Sequence, residues 1–210
     1  IVPSMAAQAS NSSSRQIFVP DAAVASYTAD TNWSNFGSIQ SMNNYPFEVN
    51  GIFYLIDPAT HTATVTYDFL TYDSIYDDWY PVQSLDIPAT INVNGNEYTV
   101  TAIADKAFYY CKTLQSVALP ASITSIGSSA FYECTNLQSV NIPEGVTKIP
   151  DSAFLGCSSL TSIDLPSSIQ AIESKAFYGC TGITEISLPD ALIGIGSQAF
   201  YNCSGLSIIH

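Results

Sequence analysis

A 23-residue repeat dominates the sequence from residue 107 to the end of the chain. A phenylalanine and a cysteine recur in every copy at the same two positions, and a proline closes an apolar run. The phenylalanines are Phe108, Phe131, Phe154, Phe177 and Phe200, and the cysteines are Cys111, Cys134, Cys157, Cys180 and Cys203. The prolines are Pro120, Pro143, Pro166 and Pro189. The fold must therefore place equivalent residues of successive copies in equivalent surroundings.

Each copy predicts two short extended segments and one compact turn. The run Leu-x-x-Val-x-Leu-Pro alternates apolar and polar residues, as a strand with one buried face does, and Ile-x-x-Ile predicts a second extended piece. The segment Ser-x-Ala-Phe-Tyr-x-Cys predicts a single helical turn capped by Ser128, Ser152 or Ser174. A period of this length with leucine-type spacing is typical of a leucine-rich solenoid. We predict an α/β, β-rich fold: a right-handed leucine-rich-repeat solenoid with short helical turns on the convex side and a β-hairpin cap before the first repeat.

One coil cannot fold alone. It has eight inward positions (Ala, Phe, Cys, Leu, Val, Leu, Ile and Ile), and their burial returns less free energy than ordering 23 residues costs. Stacking of coils must supply the difference.

The chain divides into three predicted segments. Residues 1–42 resemble the end of a preceding array, a degenerate repeat in which residues 17–20 fill the strand-and-proline position, followed by a short helix with Asp21 as N-cap. The alternative is a signal-peptidase site at residues 7–9; we favour the degenerate repeat. Residues 47–106 are predicted to form a β-hairpin cap and an irregular first repeat, with hairpin turns at Asn50-Gly51 and Asn94-Gly95. Residues 107–210 hold five 23-residue repeats, the last one truncated.

Composition excludes several classes of partner. Eighteen acidic and five basic residues give a net charge of −13, which argues against nucleic acid and against anionic membranes. No run of 18 apolar residues is present, so no membrane insertion is expected.

The cysteines share one inward position, which favours a ladder of reduced, buried thiols over disulfides or a metal site.

Catalysis finds no support in the sequence. His61 and His210 are the only histidines and lie far apart along the chain, and no nucleophile, metal or phosphate-binding motif occurs. We expect a non-catalytic protein without cofactor or metal.

Two surfaces are candidate binding sites. The first is the outward face of the strand ladder: Gln115, Ser116, Gln138, Ser139, Asn141, Thr161, Ser162, Asp164, Thr184 and Glu185. Solenoids commonly bind on such a face, although the same residues also suit a solvated polar surface. The second is a loop in which aromatic rings alternate with carboxylates, suited to a glycan or a cationic peptide or, alternatively, to covering the core: Tyr72, Asp73, Tyr76, Asp77, Asp78, Trp79 and Tyr80.

The string CTNLQSVNIPEGVTKIPDSAFLGC, residues 134–157, resembles the BspA-type, treponema-like 23-residue leucine-rich repeat of bacterial surface proteins, and residues 84–210 carry this resemblance. The resemblance implies a secreted or surface-anchored adhesion module that binds a protein or glycan on host or neighbouring cells. The order of an array end followed by a cap and new repeats departs from a single module. It leaves a structural spacer, or a head-to-tail self-assembling stalk or filament, as the alternative.

Overall fold

The computed structural model describes residues 16–19, 38–41, 46–67 and 82–210, the first two segments as backbone only. The chain forms two compact units, residues 1–45 and 46–210. In the first unit, β1 (Gln16–Val19) pairs in parallel with β2 (Ser38–Ser41), and Gln16 lies opposite Ser38. The predicted N-cap Asp21 lies outside the described residues, and the assignment of the three sequence segments stays a prediction.

The second unit begins with a sheet built from hairpins. Its strands are β3 (Phe47–Val49), β4 (Ile52–Asp57), β5 (Thr62–Thr66), β7 (Thr90–Val93) and β8 (Asn96–Ile103). Strands β3, β4 and β5 form an antiparallel meander, and β5 pairs in parallel with β8. Both predicted hairpin turns are confirmed: Asn50 and Gly51 have φ of 53° and 79°, and Asn94 and Gly95 have 53° and 84°. Positive φ at both positions is the geometry of a type I′ turn.

The repeats stack as a solenoid with two parallel ladders. The first ladder consists of β6 (Ser84–Asp86), β9 (Ser116–Ala118), β11 (Ser139–Val140), β14 (Glu185–Ile186) and β16 (Ile208–Ile209). The second ladder joins the end of β8 to β10 (Ser125–Ile126), and β12 (Lys148–Ile149) to β13 (Ala171–Ile172) and β15 (Gly194–Ile195). Val117 lies opposite Val140, one period along the chain. Leu85 lies opposite Val117, so the cap hairpin is inserted without disturbing the register.

Each ladder has an interruption. In the second ladder, the backbone N–H groups of Glu173 and Gly196 donate to the carbonyls of Ile149 and Ile172 in the preceding coil. Pro150 occupies the equivalent position one coil earlier and has no N–H to give, so β10 and β12 are not paired. In the first ladder, residues 161–165 form no strand, although the alternating pattern predicts one there.

The predicted helical turns are wrong: none of the described residues is helical. In the first coil, Lys106, Phe108 and Tyr110 donate their N–H groups along the solenoid axis to carbonyls of the next coil, while the residues between them bond three residues back. Lys106 and Tyr110 have φ of 59° and 60°, and the equivalent positions of the other coils are also positive. A helix needs consecutive right-handed residues, so a turn that alternates handedness forms a ladder between coils instead.

Ser152 shows why the capping prediction fails. Its φ is 55°, whereas a helix N-cap has an extended backbone, and its Oγ donates to Asp151 Oδ1 at 2.9 Å. The carbonyls of Ser128 and Ser174 accept from Lys106 and Ser152 of the preceding coils. These serines therefore belong to the ladder on the turn side rather than to helix ends.

The core consists of aligned columns of equivalent apolar side chains. All eight predicted inward positions of the first coil are buried: Ala107, Phe108, Cys111, Leu114, Val117, Leu119, Ile123 and Ile126. The phenylalanine rings of successive coils stack nearly parallel, with centroids 5.1 to 5.5 Å apart. The five cysteines are buried and form no disulfide with one another, as predicted.

The cysteine column has a polar function that sequence reasoning missed. The Sγ of Cys157 donates to the carbonyl of Phe131 in the preceding coil at 3.1 Å, and Cys134, Cys180 and Cys203 make the equivalent bond at 2.9 to 3.1 Å. A thiol is small enough for this inward position and still supplies a donor to a buried carbonyl.

Candidate functional site

A shallow groove of about 560 Å³ runs along the first ladder across four coils. Its outward side chains are small or acidic: Ser84, Asp86, Ser116, Ala118, Ser139, Asn141, Ser162 and Asp164. They face outward because successive side chains of a strand alternate between the two faces, and Leu85, Val117 and Val140 between them point into the core. The groove therefore has a floor of serines and one row of Asp, Ala and Asn beside it.

Half of the predicted ligand face lines this groove. Ser116, Ser139, Asn141, Ser162 and Asp164 are among the lining residues. Gln115, Gln138, Thr161, Thr184 and Glu185 belong to the same strand segments but do not line it. The structure adds Ser84 and Asp86, which sequence reasoning left out of the site. The signal that could have found them is in the sequence, where SLDIPATI at residues 84–91 matches SVALPASI at residues 116–123 in residue class.

Three of the lining side chains are already engaged within the array. Ser116 Oγ donates to Ser84 Oγ at 2.9 Å. Asn141 Oδ1 accepts from the N–H of Leu119 at 2.7 Å, and Asn141 Nδ2 donates to the carbonyl of Leu119 at 2.8 Å. The amide of Asn141 thus serves the backbone of the preceding coil, and it is a structural group rather than a free ligand-binding one.

The third coil does not pair with its neighbours along the groove. Residues 161–165 make no backbone hydrogen bond to the coils on either side, whereas Gln138 and Ser207 of other coils donate to Gln115 and Thr184. Thr161, Ser162 and Asp164 are exposed. The array therefore supplies no main-chain partner for the N–H and C=O groups of this segment.

The charge of the groove is wholly negative. Asp86 and Asp164 are exposed carboxylates, and no basic residue lines the groove. Three lysines make contacts outside the groove: Lys148 Nζ pairs with Glu173 Oε1 at 2.8 Å, and Lys106 and Lys112 lie 5.6 Å from the ring centroids of tyrosines on the turn side. The Lys148 ammonium, which is hydrogen-bonded to Glu173, lowers the pKa of that carboxyl. The groove suits cationic or hydroxyl-rich ligands.

The turn side carries stacked tyrosines. Tyr109 and Tyr132 stack at 4.7 Å, and Tyr178 and Tyr201 stack at 5.2 Å. Leu155 stands between the two pairs and interrupts the column. This arrangement covers the turns of adjacent coils and explains why tyrosine recurs next to the core phenylalanine.

The predicted aromatic-acidic loop, residues 72–80, lies outside the described residues, so its role stays a prediction. His61 stacks on Tyr98 at 5.8 Å, and the backbone N–H of His210 donates to the carbonyl of Ile186. Within the described ranges, no three metal-binding side chains come together. In that same part of the chain, no helix has the length and apolar character needed to cross a bilayer.

Buried titratable groups lie in the core and not in the groove. Burial raises the pKa of the Cys157, Cys180 and Cys203 thiols. Burial likewise raises the pKa of Tyr54 to about 12. These shifts keep the groups protonated near neutral pH, which lowers the reactivity of the thiols.

Comparison with known proteins agrees with the geometry. The sequence profile described as the BspA type leucine rich repeat region matches six copies over residues 79–210, more than half of the chain. A leucine-rich repeat protein from Bacteroides ovatus is 30% identical with a TM-score of 0.70, over 79% of this chain and 41% of that protein. A leucine-rich repeat protein of T. pallidum is 29% identical with a TM-score of 0.66, over 78% of this chain and 70% of that protein. No curated protein matches the sequence.

Proposed function

Because the chain belongs to the BspA-type leucine-rich repeat family, we propose that it is a non-catalytic binding or adhesion module, secreted or at the cell surface. In this proposal the groove along the first ladder contacts a protein or glycan on host or neighbouring cells. The chain spans 41% of the length of the Bacteroides ovatus protein, so the proposal concerns this segment and not a whole protein.

The observation that carries the proposal is the groove itself. Eight outward side chains from four coils form one surface, and none is a large apolar group. The array below it is held by continuous columns of phenylalanine and cysteine, so the surface is supported by a rigid core. A rigid surface that presents hydroxyls, carboxylates and unused backbone amides is suited to recognising an extended polar ligand.

The test is a binding screen of the folded chain with a matched pair of variants. Ser139→Trp fills the groove, whereas Ser125→Trp places the same ring on the second ladder, and both serines are exposed. The chain is immobilised and titrated with matrix proteins, mucins and glycans. We expect saturable binding that Ser139→Trp abolishes and Ser125→Trp preserves. Absence of saturable binding to every ligand in the screen contradicts the proposal.

A structural spacer or a head-to-tail self-assembling stalk is the second candidate. It is favoured by the engagement of Ser116 and Asn141 within the array, which leaves fewer side chains for a ligand. Sedimentation at increasing concentration separates the two forms of this candidate. Association that is lost on deleting residues 1–42 supports self-assembly, whereas a monomer without ligand supports the spacer.

A further inference from the structure

The groove holds two carboxylates at a defined separation. Asp86 and Asp164 occupy the same row, and three coil-to-coil steps separate them, with Ala118 and Asn141 between. Neighbouring strands lie about 4.8 Å apart, so the two carboxylates are about 14 Å apart along the groove. The step from Asn141 to Asp164 has no strand pairing, but the phenylalanine rings of those two coils, Phe131 and Phe154, lie 5.2 Å apart, which agrees with this step.

The two intervening residues add no charge. Ala118 has no polar side-chain atom, and the amide of Asn141 is bonded to the backbone of Leu119. Ser84, Ser116, Ser139 and Ser162 form a parallel row of small side chains. A chain lying in the groove can therefore approach the floor closely between the two carboxylates.

The open backbone of residues 161–165 is an independent indication of the ligand's nature. These residues make no backbone hydrogen bond to either neighbouring coil, so the array leaves their N–H and C=O groups without a main-chain partner beside Asp164. The main chain of a polypeptide carries one N–H donor and one C=O acceptor at every residue, so it can pair with both kinds of group. A ligand without such a main chain lacks this regular set of donors and acceptors.

We propose that the groove binds an extended peptide carrying two basic residues four positions apart, one paired with Asp86 and the other with Asp164. This inference rests on the proposed binding function of the groove. An extended chain rises about 3.4 Å per residue, so four residues span about 14 Å, and residues i and i+4 lie on the same face of the chain. Residues i and i+3 span only about 10 Å and lie on opposite faces of the chain, so they cannot reach both carboxylates together.

The experiment uses three short synthetic peptides of equal charge in an uncharged Ser/Thr background. One has two lysines four residues apart, one has them three apart, and one has them adjacent. Affinity for the full chain is measured by fluorescence anisotropy at low and at physiological salt. We expect the four-residue spacing to bind most tightly and all binding to weaken as salt rises, since exposed ion pairs are screened. Equal affinity for all three spacings overturns the proposal.

Charge-matched variants locate the contact. Asp86→Asn and Asp164→Asn each remove one groove carboxylate, and the control Asp190→Asn removes an exposed carboxylate outside the groove. Each groove variant is expected to weaken the four-spaced peptide by about two- to fivefold, the range of an exposed ion pair, and the control to leave it unchanged. In the double groove variant, the preference for the four-residue spacing should disappear.

The outcomes separate this inference from the proposed function. If Ser139→Trp abolishes binding of a ligand from the screen while the four-spaced peptide does not bind, the groove is a binding site for another chemistry and this inference fails alone. If neither the screen nor the peptides show saturable binding, both fail.

Discussion

The side chain of Asn141 bonds to both main-chain groups of Leu119, a residue of the preceding coil. Its Oδ1 accepts from the N–H at 2.7 Å and its Nδ2 donates to the carbonyl at 2.8 Å. Elsewhere in the first ladder a backbone carbonyl fills this role, as when Ile87 donates to Ala118. One side-chain amide thus replaces a backbone contact between two coils.

Replacing Asn141 with alanine should destabilise the array, because the N–H and C=O of buried Leu119 lose their partners. The expected loss is about 1–3 kcal/mol of unfolding free energy, the range for a buried polar group left unpaired. Urea unfolding followed by circular dichroism measures it. Ser187→Ala, at the equivalent exposed position two coils later, is the control and should change the free energy by less than about 0.5 kcal/mol. Equal effects of the two variants would contradict this account of Asn141.

The five thiols should be protected in the folded chain and countable only after denaturation. Burial raises the pKa of Cys157, Cys180 and Cys203, so less thiolate is present at a given pH than for a free thiol. Cys203 is 9% exposed, whereas the other cysteines are fully buried, so Cys203 should react first. Its labelling rate should still be rising at a pH above its ordinary pKa of 9.0, because the raised pKa delays ionisation.

A thiol-reactive dye and mass spectrometry give the order of labelling, and the denatured, unreduced chain should yield all five thiols. A count of one or three would indicate disulfides and would overturn the cysteine ladder.

Two glycines should respond differently to replacement by alanine. A Cβ on Gly127 would lie 2.3 Å from the backbone nitrogen of Asp105, so the preceding coil must move. A Cβ on Gly194 meets nothing within 4 Å, and its φ is not positive. Gly127→Ala should therefore lower the melting temperature strongly. Gly194→Ala should leave it unchanged or raise it, since alanine reduces the entropy of the unfolded chain by an amount worth about 0.4–1 kcal/mol. Thermal denaturation of both variants tests this, and a harmless Gly127→Ala would show that the coils are less closely packed there.

Glu173 should make stability sensitive to acid. Its pKa is lowered in the folded chain by hydrogen bonds from Lys148 and from the backbone of Asp151. A lowered folded-state pKa contributes stability above the unfolded value of 4.5, and this contribution is lost as the pH falls through the folded value. Glu173→Gln should therefore be less stable near neutral pH by at most about 1 kcal/mol, because the pair is partly exposed.

The difference between Glu173→Gln and the unmodified chain should vanish in acid. Melting temperatures measured from neutral pH down to about pH 3 reveal the convergence. Asp190→Asn removes the same charge without removing these bonds and serves as the control. A constant difference across the whole pH range would show that Glu173 acts through packing rather than through its charge.

The 23-residue period determined which residues enter the core. Identical residues one period apart must occupy identical positions in a stack, so the positions of Phe154, Cys157 and Leu160 could be predicted without coordinates. The type I′ turns at Asn50-Gly51 and Asn94-Gly95 were predictable for a local reason, since few residue pairs accept two positive φ angles. The groove was half predicted, because period-2 alternation identifies the outward side chains of a strand but not which of them line one surface.

Tertiary structure decided where hydrogen bonds run between coils. Ser-x-Ala-Phe suits a helical turn locally, yet the neighbouring coil offers carbonyls to Lys106 and Phe108, so the turn alternates handedness and bonds along the stack. The loss of pairing at Pro150 was visible in the sequence only once its partner, Ile126, was known. The hydrogen bonds of the Asn141 amide join residues 22 apart along the chain, and the backbone beside Asp164 lacks such bonds to the coils on either side. Neither feature can be read from the local sequence. Repetition specifies what each position buries, whereas the partner of each polar group is set by the coil that stacks against it.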